Sequence, residues 1–238
     1  MANPNMANRE VCDLIFYDYK TKKPFLNLDF ANVVTNELTG ETVYGYGGKG
    51  HPKRISFGGE RGGTITIETQ IQTVKLWELI TGGEVTKSAK FVAREEHTIA
   101  DGKVTLNATP IEGTVVAYAV DDDCGTELAP TVTGTEVSFE GTTGDVIVYY
   151  MKELTEGVTR INIKSTSFPK NFIVYGDTIM KTEDDEVLPY KIVGYKCSCQ
   201  PTLSLSYSNT GDPTSISLVA DLMADADDNI LDLILIEE

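Results

Sequence analysis

The chain has 238 residues, a hydrophobic content of 41% and a formal net charge of −16, from 20 Lys and Arg against 36 Asp and Glu. This length allows one large β domain, or a core domain that carries a small insert. The acidic balance argues against a protein that grips nucleic acid, because phosphate binding needs Lys and Arg. Solubility alone also explains the charge of most acidic proteins.

The N-terminal sequence lacks the apolar run of a secretion signal, and no stretch approaches the roughly 18 apolar residues of a membrane span. We therefore expect the chain to fold in a cytoplasm, with Cys12, Cys124, Cys197 and Cys199 as free thiols. A zinc site would need a second ligand pair at suitable spacing, which the sequence does not offer. No metal and no cofactor is expected.

The first hundred residues begin with two predicted strands, Val11–Tyr17 and Leu26–Val34. The sequence Thr35–Lys53 then contains five glycines, which predicts a long flexible loop, and loops of that length are usually functional. Its glycines lack the spacing of a phosphate loop, so we expect an arm that becomes ordered against a neighbouring subunit. The residues predicted to make this contact are Thr42, Tyr44, Tyr46, Lys49, His51 and Arg54.

The segment Arg54–Gly83 is the most informative part of the chain. Alternating isoleucines predict a strand that follows a turn or bulge at Glu60 and Arg61. Between Val74 and Ile80 the apolar residues surround most of a helix, so this short helix must be covered on several sides, and two glycines end it. The residues predicted to pack from this helix against the sheet are Leu76, Trp77, Leu79 and Ile80.

Residues 101–156 look separate, because short apolar runs alternate there with turn sequences. The predicted strands are Val104–Leu106, Thr114–Val120, Glu136–Phe139 and Val146–Met151. We therefore predict a small inserted β-sandwich-like domain at 101–156, between a first core part at 1–100 and a second at 157–238.

Strands resume after the insert with Asn171–Met180 and Val187–Cys197, which predict a hairpin. Alternation in Leu203–Ser208 and Ser215–Leu218 predicts a second hairpin, with one apolar face and one face of small hydroxyl residues. The run Ile230–Ile236 is apolar and favours β structure. We expect it to pair within the sheet or with a neighbour, because an exposed run of this kind promotes aggregation.

Three segments in order, ISFGGERGGTITIET with its following helix, SFPKNFIVYGDTIM and CQPTLSLSYSNTGDPTSISLVAD, resemble the major tail tube proteins of tailed bacteriophages. The resemblance implies a mainly β fold, a tail-tube-like β-sandwich or barrel with one short flanking α-helix and the small inserted β domain. It also implies hexameric rings, in which the inner sheets join into a β-barrel around a channel and the rings stack into a tube.

A tail tube subunit is a structural protein of the virion tail, and the scarcity of catalytic motifs agrees with a chain that is not an enzyme. The resemblance implies assembly in the host cytoplasm and contacts with itself, tape measure and terminator proteins and, in contractile tails, a sheath. DNA would pass without specific binding, and no membrane is involved. Acidic residues that repel DNA are expected to line the channel, with Glu60, Glu68 and Asp177 as candidates, while the insert decorates the outside.

The alternative is an Ig-like β-sandwich binding or adhesion module of a surface or virion protein. Its strand pattern would be similar, but the absence of a secretion signal counts against it. The two interpretations differ in solution size, because a binding module stays monomeric while tube subunits form rings or polymers.

Overall fold

The computed structural model describes residues 5–237, and the mainly β fold predicted from the sequence is confirmed. Within that range one α-helix, α1, spans Val74–Thr81, and none of the helices there is long and apolar enough to cross a membrane. The strands are β1 Met6–Ala7, β2 Asp13–Asp18, β3 Pro24–Leu28, β4 Val33–Tyr46, β5 Lys53–Thr69, β6 Glu84–Thr86, β7 Ala89–Thr98, β8 Lys103–Thr105, β9 Val116–Ala119, β10 Thr131–Thr133, β11 Glu136–Ser138, β12 Asp145–Leu154, β13 Arg160–Asn162, β14 Phe172–Thr182, β15 Val187–Cys199, β16 Ile216–Leu222 and β17 Leu231–Leu235.

The chain forms two compact units. Unit 1 combines the sequence up to Glu84 with the sequence from Ile163 onward, and unit 2 consists of Val85–Asn162. The sequence analysis assigned all of residues 1–100 to the core, whereas β7 belongs to unit 2 in the structure.

Unit 1 is built on a nine-stranded antiparallel sheet in the order β3-β2-β14-β15-β16-β5-β4. Two short strands complete it, since β1 pairs with the end of β14 and β17 pairs with β15. The predicted hairpin of β14 and β15 is confirmed, and the apolar C-terminal run pairs within the sheet through β17. Strand β4 lies at one end of the sheet, so one of its two edges has no strand beside it among the described residues.

One side of this sheet carries the core of unit 1. Side chains that alternate along each strand are buried there, among them Phe16, Ile65, Ile67, Phe172 and Leu218. The period-2 pattern of β5 thus divides the strand into a buried face and a solvent face, as the sequence predicts. The buried face is the side of the sheet that we call the core side.

Helix α1 packs on this core, and local chemistry defines both of its ends. The Thr73 hydroxyl accepts a hydrogen bond of 3.2 Å from the Leu76 N–H, which caps the first turn. Gly82 ends the helix with a φ of 65°, and a Cβ atom there would also collide with the backbone of Phe168. Leu76, Leu79 and Ile80 are buried as predicted.

Trp77 departs from this pattern, because its ring is only half-buried against the core. Its indole N–H is enclosed but has no hydrogen-bond partner among the described residues. Trp77 packs against the core as predicted, but the predicted full burial is wrong, and the three aliphatic side chains provide the deeper contacts.

The prediction of a flexible loop over Thr35–Lys53 is wrong. Strands β4 and β5 continue through almost all of it as one long antiparallel hairpin, and only residues 47–52 form a turn. Besides its five glycines, this segment contains Thr, Val and Tyr residues, which favour β-strands. Gly40 lies beside a register shift, and Gly45 lies beneath the Phe57 ring, so neither glycine marks a loop.

The predicted hairpin at residues 203–218 is also wrong in its first half. Residues 200–215 form no strand, and ladder pairing begins only at Ile216 in β16. Pro201 offers no backbone donor, which disfavours a ladder at the beginning of this segment. The alternation of leucine and serine in residues 203–206 is therefore not part of a strand.

Unit 2 contains two three-stranded sheets, β7-β12-β9 and β10-β11-β8, around a core of its own. Its largest fully buried side chain is Tyr150, whose hydroxyl donates to Glu95 Oε1 at 2.5 Å. Burial raises the pKa of Glu95, but hydrogen bonds from Tyr150, Asn107 and His97 outweigh burial and hold this pKa below its usual value. The three-residue 3-10 helix Val120–Asp122 forms the turn that follows β9.

We expect Leu76→Ala to lower the free energy of unfolding of unit 1 by about 2–5 kcal/mol, because a fully buried leucine leaves a cavity. Trp77 is the only tryptophan of the chain, so its fluorescence during urea denaturation follows this unit. The control Glu78→Ala lies on the exposed side of the same helix and is expected to stay within about 0.5 kcal/mol. Equal effects of the two changes would contradict the packing of α1.

Candidate assembly surface

The hairpin of β4 and β5 extends well beyond the sheet to which it belongs. Strand β16 pairs with β5 only from Gly63 to Thr69, while β4 and β5 continue to pair with each other from Thr39 and Gly62 outward. We call residues 39–62 the distal ribbon. It is a two-stranded structure, and isolated two-stranded hairpins are marginally stable in water.

One face of the distal ribbon is apolar. Val43 lies opposite Phe57, and Gly45 lies opposite Ile55, so all four residues point to the same side. The side chains of Val43, Ile55 and Phe57 remain 58%, 59% and 58% exposed. These three residues form what we call the apolar ribbon face, and nothing among the described residues covers it.

The opposite face of the ribbon is aromatic and basic. The Lys53 ammonium lies 3.8 Å from the centre of the Tyr44 ring, a favourable cation–π distance. Tyr44 is paired with Ser56, and Tyr46, the next residue on this face, is strongly exposed. Aromatic side chains of this kind carry much of the binding energy in protein interfaces.

A β-bulge interrupts the ribbon near the sheet. The pairs Gly40–Arg61 and Thr42–Gly58 leave one extra residue on β5, at Gly59 and Glu60. Of the two alternatives that the sequence predicts at Glu60 and Arg61, a turn or a bulge, the structure has the bulge. Bulges bend a strand and increase its twist, so this one sets the direction of the outer ribbon.

The tip of the ribbon is a tight turn with a distinct charge. Gly48 and Gly50 have φ angles of 87° and 84°, and His51 adopts a φ of 48°. Arg54 Nε donates to the Gly47 carbonyl at 3.3 Å and thereby closes the turn. Residues 42–59 contain three Lys and Arg and no Asp or Glu, in a chain whose net charge is −16.

The six residues predicted from the sequence for a subunit contact all lie on this ribbon. Thr42, Tyr44 and Tyr46 lie on β4, while the other three lie in the turn or at the start of β5. The apolar ribbon face was missed, because Val43 was assigned to a flexible loop and Ile55 and Phe57 were not recognised as lying across a hairpin from it. The alternation in VYGY and RISF was the signal that could have revealed it.

The side of the sheet opposite the core forms a second surface, which we call the polar face. Three neighbouring strands contribute cross-strand rows to it. Its residues are Val33, Thr35 and Glu37 of β4, Thr64, Thr66 and Glu68 of β5, and Ser217, Val219 and Asp221 of β16. None of these nine positions is Lys or Arg, two are Glu and one is Asp, so the face is negative in charge. The other six are Ser, Thr or Val, which have small side chains.

The predicted channel residues are distributed between the two surfaces. Glu68 lies on the polar face, and it forms no ion pair among the described residues. Asp177 on β14 faces the same side of the sheet, but its carboxylate is paired with the Lys191 ammonium of β15. Glu60 lies in the bulge of the distal ribbon and is not part of the polar face.

No group of three or more His, Cys, Asp or Glu side chains within residues 5–237 is arranged to hold a metal ion. The distal ribbon presents apolar and aromatic side chains, and the polar face presents carboxylates. Such groups can make contacts between proteins or repel polyanions.

These features describe a mainly β protein in which one long hairpin, β4–β5, continues beyond the end of its pairing with β16. Residues 9–236 match the family model described as the YomU/Tube protein family, and the chain belongs to that family. It is accordingly a phage tube-related structural protein and a component of the virion tail. A comparison with curated proteins found no match.

We expect the backbone amides of the distal ribbon to exchange rapidly in the isolated subunit, because this ribbon has no covered face. Amides of β5 between Ile65 and Glu68, where β5 is paired with β16 on one side and β4 on the other, should exchange much more slowly. Hydrogen–deuterium exchange with mass spectrometry measures both segments in one sample. Strong protection of Val43 and Phe57 in a verified monomer would show that the ribbon is stable without a partner.

Proposed function

We propose that this chain is a tail tube subunit that forms stacked hexameric rings, and that the resulting channel delivers DNA. The observation that carries the proposal is the distal ribbon, whose apolar face has no partner within the described chain. In a monomer such a ribbon is an aggregation hazard, whereas in a closed assembly it becomes an interface.

The ribbon has the length and the chemistry for a contact between subunits. Its eight outer residues on β4 span roughly 25 Å at the usual rise of a strand, enough to reach across to a neighbouring molecule. Burial of an exposed phenylalanine, isoleucine or valine contributes about 1.5–3 kcal/mol for each side chain. Repetition around a ring multiplies this contribution, which favours assembly over the free subunit.

The polar face has the properties that a wall for moving DNA requires. Each Lys or Arg that contacts a phosphate adds favourable, salt-dependent binding, and DNA would pause at such contacts. The nine positions of the polar face lack these residues and carry two Glu and one Asp. Serine and threonine fill much of the remaining surface, so few long side chains would project into a channel.

The remaining parts of the proposal rest on the family to which the chain belongs and not on the geometry of the two surfaces. The chain acts without catalysis or cofactor, assembles in the host cytoplasm without a membrane, and contacts tape measure and terminator proteins and, in a contractile tail, a sheath. Unit 2 has its own core, which supports a role as a separate decoration on the outside of the tube.

We expect Phe57→Asp to abolish tube formation while the subunit stays folded, because the side chain is exposed in the free protein. Sedimentation velocity and negative-stain electron microscopy measure assembly, and thermal denaturation verifies the fold. The matched control is Phe91→Asp, an exposed phenylalanine on β7 of unit 2, which should leave tubes intact.

Tubes formed normally by Phe57→Asp would show that the ribbon is not the contact. An unmodified protein that remained monomeric under all conditions would favour the Ig-like binding module instead.

We expect Glu68→Lys to permit assembly but to slow the passage of DNA, because it would place six positive charges on the wall of a hexameric ring. The slowing should be stronger at low salt, where phosphate contacts are strongest. DNA release from phage particles that carry the variant measures the rate, and Glu127→Lys on the exposed surface of unit 2 is the control. An unchanged rate for Glu68→Lys would place this carboxylate away from the channel.

A further inference from the structure

The side of the main sheet opposite the core changes in character at strands β2 and β14. Phe16 of β2 and Val174 of β14 belong to the core. Side chains alternate along a strand, so the neighbouring Ile15, Tyr17 and Tyr175 point to the solvent side. Ile15 and Tyr175 are paired across the two strands and remain 41% and 39% exposed, and the Tyr17 and Tyr175 rings pack edge-on with their centres 5.0 Å apart. We call these three residues the aromatic patch, since the polar face of β4, β5 and β16 has no aromatic side chain.

Five lysines lie together at one end of the aromatic patch. They are Lys20, Lys22 and Lys23 in the turn between β2 and β3, Lys170 just before β14, and Lys196 of β15. The ammonium groups of Lys22 and Lys196 lie 4.1 and 5.7 Å from the centre of the Tyr19 ring. The Tyr19 N–H donates to the Asn171 carbonyl at 3.2 Å, which holds the turn beside Lys170. This lysine corner thus contains five of the 20 Lys and Arg of an acidic chain.

The charges of the lysine corner have no acidic partner within the subunit. None of the five lysines forms an ion pair within residues 5–237. The Asp18 carboxylate is engaged by the N–H groups of Lys20 and Thr21, at 3.0 and 2.6 Å. Hydrogen bonds from its own loop, and then the charge of Lys22, hold the pKa of Asp225 below its ordinary value. Like charges that repel one another are thus left without a salt bridge.

The turn that carries three of these lysines is held in place by its own backbone. The Asp18 N–H donates to the Lys23 carbonyl at 2.9 Å, and the Lys22 N–H donates to the Asp18 carbonyl at 2.8 Å. The backbone positions of the lysines are therefore fixed before a partner arrives. Such preorganisation lowers the entropy cost of binding.

We propose that the lysine corner and the aromatic patch bind an acidic segment of a partner protein, in which Asp or Glu side chains flank an apolar residue. The carboxylates would pair with the lysines, while the apolar residue packs on Tyr17 and Tyr175. Opposite charges speed the encounter, and aromatic side chains are enriched in the cores of protein interfaces. This docking surface is separate from the distal ribbon and does not depend on the contact proposed for it.

An acidic polypeptide fits this surface better than nucleic acid does. The Tyr19 ring already lies beside two ammonium groups, so it is not free to stack on a base. Asp221 of the polar face is paired with Ser198, two residues along β15 from Lys196. A DNA duplex is much wider than one strand, so on these lysines it would also approach this carboxylate. An extended polypeptide segment can contact the lysines alone.

The net charge of −16 does not prevent such binding. At physiological ionic strength, exposed charges more than about 8 Å apart are largely screened. An acidic segment therefore responds mainly to the five lysines that it contacts, and the distant carboxylates of the subunit repel it only weakly.

The test uses full-length, unassembled subunit and a fluorescein-labelled peptide of Glu residues around one central Phe, with binding measured by fluorescence anisotropy. A triple variant should bind this peptide several-fold more weakly at low salt, with a smaller loss at high salt; it combines Lys20→Gln, Lys22→Gln and Lys23→Gln. The matched control removes the same charge from unit 2 and should bind like the unmodified protein; it combines Lys87→Gln, Lys90→Gln and Lys103→Gln.

A second pair of variants tests the aromatic patch. Tyr175→Ala should weaken binding several-fold at every salt concentration, because it removes an apolar contact and no charge. Tyr207→Ala is the control, since Tyr207 is 91% exposed and lies outside the patch. Thermal denaturation verifies that each variant remains folded.

Three results would overturn the inference. The first is a peptide that binds no better than its counterpart with Gln in place of Glu, or that loses equal affinity for the lysine variant and its control. The second is a DNA duplex that binds the lysine corner more tightly than the peptide, which would assign the surface to nucleic acid. The third is loss of tubes in the lysine variant alone, which would assign it to a second copy. The proposed function is tested separately through Phe57→Asp, so either idea can fail alone.

Discussion

The structure of unit 1 depends on one constraint, that a pair of β-strands needs cover on at least one face to be stable. Strands β4 and β5 satisfy it near Ile65 and Ile67, where their inner face adds to the core. Farther out the same two strands continue to pair without any cover, and the apolar side chains there remain exposed. This hairpin is therefore half core and half unsupported ribbon, and the proposed contact between subunits rests on the exposed apolar residues of the outer half.

Much of this fold is readable from the sequence because it follows local periodicity. The alternation around Ile65 predicts β5, the apolar helix at Leu76 and its terminal glycines predict α1, and the hairpin of β14 and β15 is equally clear. The errors arose where local pattern and tertiary context disagree. Five glycines indicated a loop, but Gly40 and Gly45 lie in β4, and only Gly47, Gly48 and Gly50 lie in the turn between the two strands.

The candidate surfaces were less accessible to sequence reasoning for a physical reason. The ribbon residues Tyr44 and Arg54 were found by their type, whereas Phe57 was missed because exposure depends on which strands lie beside β5. The polar face could not be assembled from the sequence at all, since it requires the order β16-β5-β4. The pairing of Asp177 with Lys191 likewise depends on the register of two strands.

The two faces of β5 also determine which substitutions and deletions the protein can tolerate. Glu68 faces the polar side and Ile67 the core, so substitutions can alter the surface charge without disturbing packing. A deletion of one residue before Ile65 would instead exchange the core-facing and the surface-facing residues of β5. Carboxylate and threonine side chains would then lie in the core, and isoleucines on the surface. Within the family we therefore expect the length of this strand to vary less than the identity of its surface residues, with any tolerated insertion absorbed at the bulge near Glu60.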